Sequence, residues 1–420
     1  MTADPPAEPR PALRRPAMLS AFQVRSYRFQ WPADLLASWA FEMETLVLGW
    51  YILVETGSVK LLAVLAALAY LGTLIAPLFG VIGDRFGHKN VYCAVRGAYA
   101  VLSTAMMAFG LTGTLTPTVV FVIVTLMGII RPSDISLRNV LIGNTIPPAN
   151  FGNALGLSRA TQDSARIIGA LVGAGLFTAL GIGYTYLVIA VFYAASMGFT
   201  FGISRQIDPG DGPMAAPTAP VSPWRDFKDG IAYVWRTPGV LAIMWLAFFI
   251  NFTAVPLTSN MMPYVARELF QLDAAGVGRL VACYAGGALT GSLVMSWIGP
   301  RRRPGRFCVQ SAIAWYAVLL LFGQADGPAL GGPLLFVVGM GHSIFMISLA
   351  VTLLSGLDPR FRGRAMGVRT LAVYGLPLGL TLAGWLIEAY GYHATLVLYC
   401  ASGVAVTVLT TLKFRQSLWR

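Results

Sequence analysis

The chain has 420 residues, 56% hydrophobic and 11% charged, where a soluble domain carries about a quarter charged residues; a water-soluble globule is argued against. Thirty Lys and Arg against 18 Asp and Glu give a net charge of +12, which raises nucleic acid, an acidic membrane surface or an acidic substrate as partners. Cys93, Cys283, Cys308 and Cys400 are far apart with no CxxC pair, so disulfides and a zinc site are not expected, and without a GxxxxGK[ST] loop or an HExxH motif neither ATP-driven pumping nor zincin chemistry has a footing.

In chain order, residues 1–28 are Pro-rich and basic without an apolar core, and read as a disordered cytoplasmic tail and not as a cleaved signal. Windows of about twenty apolar residues are long enough to cross a bilayer as helices. Twelve follow, at 30–54, 61–83, 90–112, 117–140, 152–181, 184–203, 239–262, 274–299, 306–325, 330–356, 364–390 and 393–413. The expected fold is therefore all-α and membrane-spanning. Its two six-helix bundles cover 29–203 and 239–413, with a cytoplasmic linker at 204–238 and a short tail at 414–420. Within the linker, Trp224, Phe227, Ile231 and Trp235 share a helical face, which predicts an interfacial helix or an extension of the seventh span.

Basic residues near helix ends stay cytoplasmic. With the N-terminus inside, 21 of the Lys and Arg fall on the cytoplasmic side, Lys60, Arg267 and Arg279 fall outside, and six lie within the spans. The basic excess is then a topology signal for a multi-pass protein of the cell (inner) membrane with both termini cytoplasmic, and nucleic acid drops out as a partner. Sliding the chain by 211 residues matches Pro148 to Pro359, Gly152 to Gly363, Gly156 to Gly367, Gly80 to Gly291 and Gly173 to Gly384. One offset serving all of these implies two halves related by a parallel repeat.

The stretch GVIGDRFGHK between the second and third spans resembles the signature of the major facilitator superfamily. Gly80, Asp84, Arg85, Gly87 and Lys89 fit it, and His88 stands where Arg is usual. The resemblance implies the major facilitator fold and a conformational latch on the cytoplasmic side; a charge pair flanked by glycines suits a short turn set against helix ends. In the fifth span, GLSRATQDSARIIGALVGAG resembles the antiporter motif of drug exporters, with Gly156, Gly169 and Gly173 in register and Ala165, Ala170 and Ala174 in place of Gly, Pro and Gly. Small residues at that spacing also allow close helix packing alone. Over nearly its full length the chain is similar to the drug:proton antiporter branch that contains enterobactin and macrolide exporters, as in LGWYILVETGS, SARIIGALVG, MMPYVARELF and RFRGRAMGV.

Ionisable residues inside membrane helices are costly and point to function. The fourth span holds Arg131, Asp134 and Arg138, and the fifth holds Arg159, Asp163 and Arg166. Spacings of three and four put each trio on one face. They form either a self-neutralising network or one that leaves an Arg for an anionic substrate group. Glu42 and Glu44 lie near the middle of the first span, two residues and about 200° apart, so they cannot share a face; the rotation assigns one of them to the cavity, where a carboxylate withdrawn from water can take up a proton. His342 in the tenth span titrates near neutrality in its ordinary state and is a second proton-coupling candidate, or a packing residue. The expected function is secondary active, proton-coupled efflux of a small organic molecule by alternating access, by a monomer among membrane lipids. No cofactor, metal or enzymatic step is expected. A nutrient importer or uniporter, or a non-transporting receptor or scaffold of the same fold, are the alternatives.

Overall fold

The computed structural model describes residues 21–74, 82, 85–146, 148–203, 231–298, 303–355 and 372–418. Gly80 and Asp84 of the latch signature, most of the linker and the RFRGRAMGV stretch lie outside the described residues. All regular structure among the described residues is helical. Helix α1, Arg25–Thr56, ends where Gly57 takes φ 62° and donates its N–H to the Leu53 carbonyl at 3.0 Å; a left-handed stop of this kind favours glycine. Ser58 then caps α2, Val59–Leu68, by accepting from the Leu61 N–H. Helix α3, His88–Leu111, starts behind Gly87 at φ 85°, and α4, Pro117–Thr145, starts with Thr116 as cap and Pro in its first turn.

The next 54 residues, Pro148–Phe201, form one helical run that breaks at Gly181 (φ 76°, ψ 179°), a backbone region essentially closed to other residues. The break makes two helices, α5 over 148–180 and α6 over 182–201, and lies where a loop between the fifth and sixth spans was expected. Residues 231–236 are helical and are followed by extended Thr237 (φ −110°, ψ 96°), after which Pro238 opens α7, Pro238–Val255. The end of the linker is thus not a continuous extension of α7. Beyond Val255 the chain continues through wide π turns, Pro256–Asn260 and Val265–Leu269. Helices α8 (Ala274–Ile298), α9 (Pro304–Phe322) and α10 (Pro328–Ser355) follow. The last long run, Gly375–Lys413, breaks at Gly391 (φ 82°, ψ 168°) into α11 (375–390) and α12 (392–413).

Among the described residues eight helices are long and apolar enough to cross a membrane. Two of them, of 45 and 39 residues, are twice the length that one crossing needs and are the runs broken at Gly181 and Gly391. With α1 and α2 this gives twelve segments in two bundles, α1–α6 and α7–α12. In lipid, helices associate by close packing and not by the hydrophobic effect, so small residues sit at their crossings. Gly128 of α4 faces the Leu68 carbonyl at the end of α2, and Gly339 of α10 faces the Tyr284 carbonyl of α8. These two glycines are 211 residues apart, so one crossing is repeated in both halves.

The halves meet along two seams, α5 against α8 and α2 against α11. Gly278 lies on Ala170 and Ala174 in the first seam, and Gly384 lies on Ala63 and the Lys60 backbone in the second. The 211-residue shift carries α5 onto α11 and α2 onto α8, so the seams are one contact made twice. Near the second, Lys60 pairs with Glu388 at 2.9 Å and stands 4.2 Å from the Trp385 ring centre. Arg267, past α7, donates to the Leu53 carbonyl at the end of α1. All these contacts gather at the end of the molecule where α1 turns into α2.

Candidate functional site

Between the halves lies a cavity of about 250 Å³. One wall comes from α1 to α6 and the other from α7, α8 and α10, the π turn after α7 contributing Thr258 and Asn260. Most of the lining is apolar, and five ionisable side chains other than tyrosine interrupt it: Glu42, Glu44, Arg131, Arg166 and His342.

The two glutamates both border the cavity and have different partners. Glu42 faces α5, where Arg166 Nε stands 3.7 Å from its Oε1. Glu44 is only 6% exposed and turns toward α6, accepting from the Tyr186 hydroxyl at Oε1 (3.2 Å) and from the Tyr193 hydroxyl at Oε2 (3.3 Å). Among the described residues no cation lies within ion-pairing distance of Glu44. The acidic stretch of α1 comes this close to α5 because α5 offers glycine there. A methyl group added at Gly169 would stand 2.8 Å from Glu42 Cβ, and one at Gly173 would stand 2.9 Å from Met43 Cα. Gly156 lies nearer the start of the same helical run.

Arg131 of α4 places its guanidinium carbon 3.0 Å from the centre of the Phe41 ring and 5.9 Å from that of Tyr70. Across the cavity, the His342 ring lies 4.9 Å from the Trp315 ring and 5.8 Å from the Tyr284 ring. Arg131 and His342, 211 residues apart, thus occupy opposite walls of one cavity.

The remaining intramembrane charges divide into separate groups. Arg159 pairs with Asp163 at 3.3 Å along α5 and is 67% exposed at its side chain. Asp134 and Arg138 enter a buried cluster behind the cavity wall with Asp34 of α1 and Arg96 of α3. Arg96 reaches Asp34 at 3.1 Å and Asp134 at 3.0 Å, and Arg138 reaches Asp34 at 3.6 Å and Asp134 at 3.3 Å. The Tyr92 hydroxyl donates to Asp34 at 2.5 Å and accepts from Arg96, and Arg96 also donates to Ser196 of α6 at 2.9 Å. Two aspartates and two arginines neutralise one another while joining α1, α3, α4 and α6. None of the four lines the cavity. Arg96 and Tyr92 were not singled out from the sequence; the available signal was a lone arginine in the apolar stretch NVYCAVRGAY.

In the described part of the latch signature, Arg85 lies 5.6 Å from the Phe86 ring centre, and Gly87 supplies the positive φ that admits α3. Lys89 Nζ donates at 2.7 Å to the carbonyl of Phe201, the last residue of α6, a cation on a helix C-terminus. The signature thus ties the start of α3 to the end of α6. Among the described residues no three His, Cys, Asp or Glu side chains come together as a metal site.

Two halves of six helices around a polar-studded central cavity, with a glycine signature ahead of α3, define a secondary-transporter architecture. The chain belongs to the Major Facilitator Superfamily, whose family model matches residues 31–377. It is 25% identical over 396 residues to the multidrug efflux pump Tap of Mycobacterium tuberculosis, covering 89% of this chain and 91% of the relative. Among solved structures it is similar to a bacterial homologue of the human lysosomal transporter Spinster in an inward-facing, unoccupied conformation, with a TM-score of 0.73, 12% identity and coverage of 94% and 97%. The POT family transporter PepTSo is similar with a TM-score of 0.68, 13% identity and coverage of 94% and 98%. The protein is a multi-pass membrane transporter of small molecules.

Proposed function

We propose that this transporter exports a small organic molecule from the cytoplasm in exchange for protons, as a monomer in the inner membrane with both termini cytoplasmic. The observation that carries the reading is the unequal pair of carboxylates in one cavity shared by both halves. Glu42 faces a guanidinium, and among the described residues Glu44 accepts only from two tyrosine hydroxyls. Burying a charge without a counter-charge is costly, so the proton occupancy of Glu44 depends on whether its end of the cavity is wet. That is what coupling requires, and it assigns the proton to Glu44 and a positioning role to Glu42 and Arg166. With the α1–α2 turn outside, as the basic residues argue, the two seams lie toward the outer end of the cavity. The similarity to a relative named a multidrug efflux pump, over 89% of this chain, supports the outward direction.

The test uses purified protein in liposomes with an imposed pH gradient and a fluorescent amphipathic dye. Glu44→Gln should reduce pH-driven dye transport at least about tenfold while leaving dye-for-dye exchange, which needs no net proton movement. Glu42→Gln should keep pH-driven transport. Full coupling in Glu44→Gln sinks the proton assignment, and dye movement only down its own gradient in the wild type sinks the antiport reading.

A further inference from the structure

Among the described residues both carboxylates in the cavity have hydrogen-bond or ion-pair partners, and one arginine of the cavity wall has no ion pair. Arg96 and Arg138 are held by Asp34 and Asp134, Arg159 by Asp163, and Arg166 faces Glu42. Among the described residues Arg131 makes no hydrogen bond and no ion pair; its contacts are the faces of Phe41 and Tyr70. A ring beneath a guanidinium offsets part of its charge and leaves the five N–H donors of its edge unused. Those donors belong to a residue that lines the cavity, and among the described residues no side chain there accepts from them.

We propose that Arg131 is the anchor for a carboxylate on the transported molecule, and that the substrates are amphipathic aromatic acids. The inference rests on the cavity being the transport site. The planar fork of a guanidinium matches a carboxylate through two parallel hydrogen bonds. A single unpaired cation balances a monoanion, whereas the second charge of a phosphate monoester would remain buried without compensation. Phe41, Tyr70 and Tyr99 beside Arg131, with Val124 and Met127, form the wall on which an aromatic ring would lie. About 250 Å³ has room for one or two fused rings. Glu44, held by its two tyrosines, is within electrostatic reach of the guanidinium but makes no ion pair with it.

Equilibrium binding to the purified full-length protein in detergent tests this with two matched pairs of probes, 2-naphthoic acid and coumarin-3-carboxylic acid, each against its methyl ester. The wild type should prefer both acids. Arg131→Gln should lower the acid-to-ester affinity ratio about tenfold, the size expected for a charge-assisted bidentate contact, and leave ester binding within about twofold. Arg131→Lys, which keeps the charge and loses the fork, should fall between, and supplies the comparison if the Gln variant does not fold. An unchanged ratio in the variants overturns the proposal, as does a wild type that binds neither acid. The readout needs no transport: an Arg131-dependent acid preference in a protein without pH-driven efflux would keep this proposal and remove the efflux reading, and the converse result would do the opposite.

Discussion

At the scale of single residues, helix geometry decides what each membrane charge does. Successive residues turn by about 100° and rise about 1.5 Å, so Arg131 and Arg138 lie on the same side of Asp134, only about 20° apart in direction but about 10 Å apart along α4. Spacing alone puts the three on one face. In the folded protein Arg96 of α3 and Asp34 of α1 hold Asp134 and Arg138 in the buried cluster, while Arg131, about two turns before Arg138 on α4, borders the cavity. Level along the helix, and not side, separates the structural arginine from the one at the cavity. Removing one member of a buried ion cluster leaves uncompensated charge and costs about 3–5 kcal/mol. Arg96→Met should therefore yield little monodisperse protein and a markedly lower melting temperature in detergent. Arg159→Met, whose side chain is 67% exposed, should melt as the wild type does, and equal melting of the two variants would contradict the cluster's structural role.

At the scale of helices, glycine does two kinds of work here. Gly181 and Gly391 reverse the chain between paired helices at φ 76° and 82°, and their places were legible because Gly181 ends one apolar window and Gly391 falls between two. Gly128 and Gly339 instead let helices touch backbone to backbone, which the repeat hinted at through their 211-residue separation, though only packing shows which carbonyl each one meets. A methyl at Gly339 would collide with the Tyr284 backbone, which has no flexible end to move aside. Gly339→Ala should lower the melting temperature by several degrees. At Gly198 nothing lies within 4 Å of an added methyl, and Gly198→Ala should be neutral or stabilising, since alanine is the better helix former by about 1 kcal/mol. Equal responses at both positions would refute the packing argument.

For the whole molecule, closure of the seamed end rests on its small-residue contacts more than on its ion pair. Lys60 and Glu388 are 31% and 49% exposed at their side chains, and a pair that wet contributes no more than about 1 kcal/mol. The close approaches at Gly278 and Gly384 recur on both sides of the cavity. The assignment of that end to the outside is open to direct labelling in sealed cells. A cysteine-reactive, membrane-impermeant reagent should reach single cysteines placed at 58 and 327, in the turns after α1 and α9, and should not reach one at 215. Labelling of 215 from outside would invert the topology and the proposed direction of transport with it.

Much of this protein is determined by its sequence alone. Twelve spans, two related halves and the latch signature follow from local quantities: apolar window length, the position of arginine and lysine, glycine at turns, and a repeat at one offset. Burial of backbone in lipid allows so few structures that such signals are enough for the fold. Which charges pair, and which face the cavity, was decided only in three dimensions. Glu42 and Glu44 are two residues apart, and where helix rotation assigns only one to the cavity both line it; they differ through the α5 and α6 side chains opposite them. Arg96, hidden in an apolar stretch, becomes a central cation because α1 and α4 both bring it an aspartate. A charge in the membrane must find a partner, and whether it finds one on a neighbouring helix or in a transported molecule depends on helix rotation and crossing, which no single stretch of sequence contains.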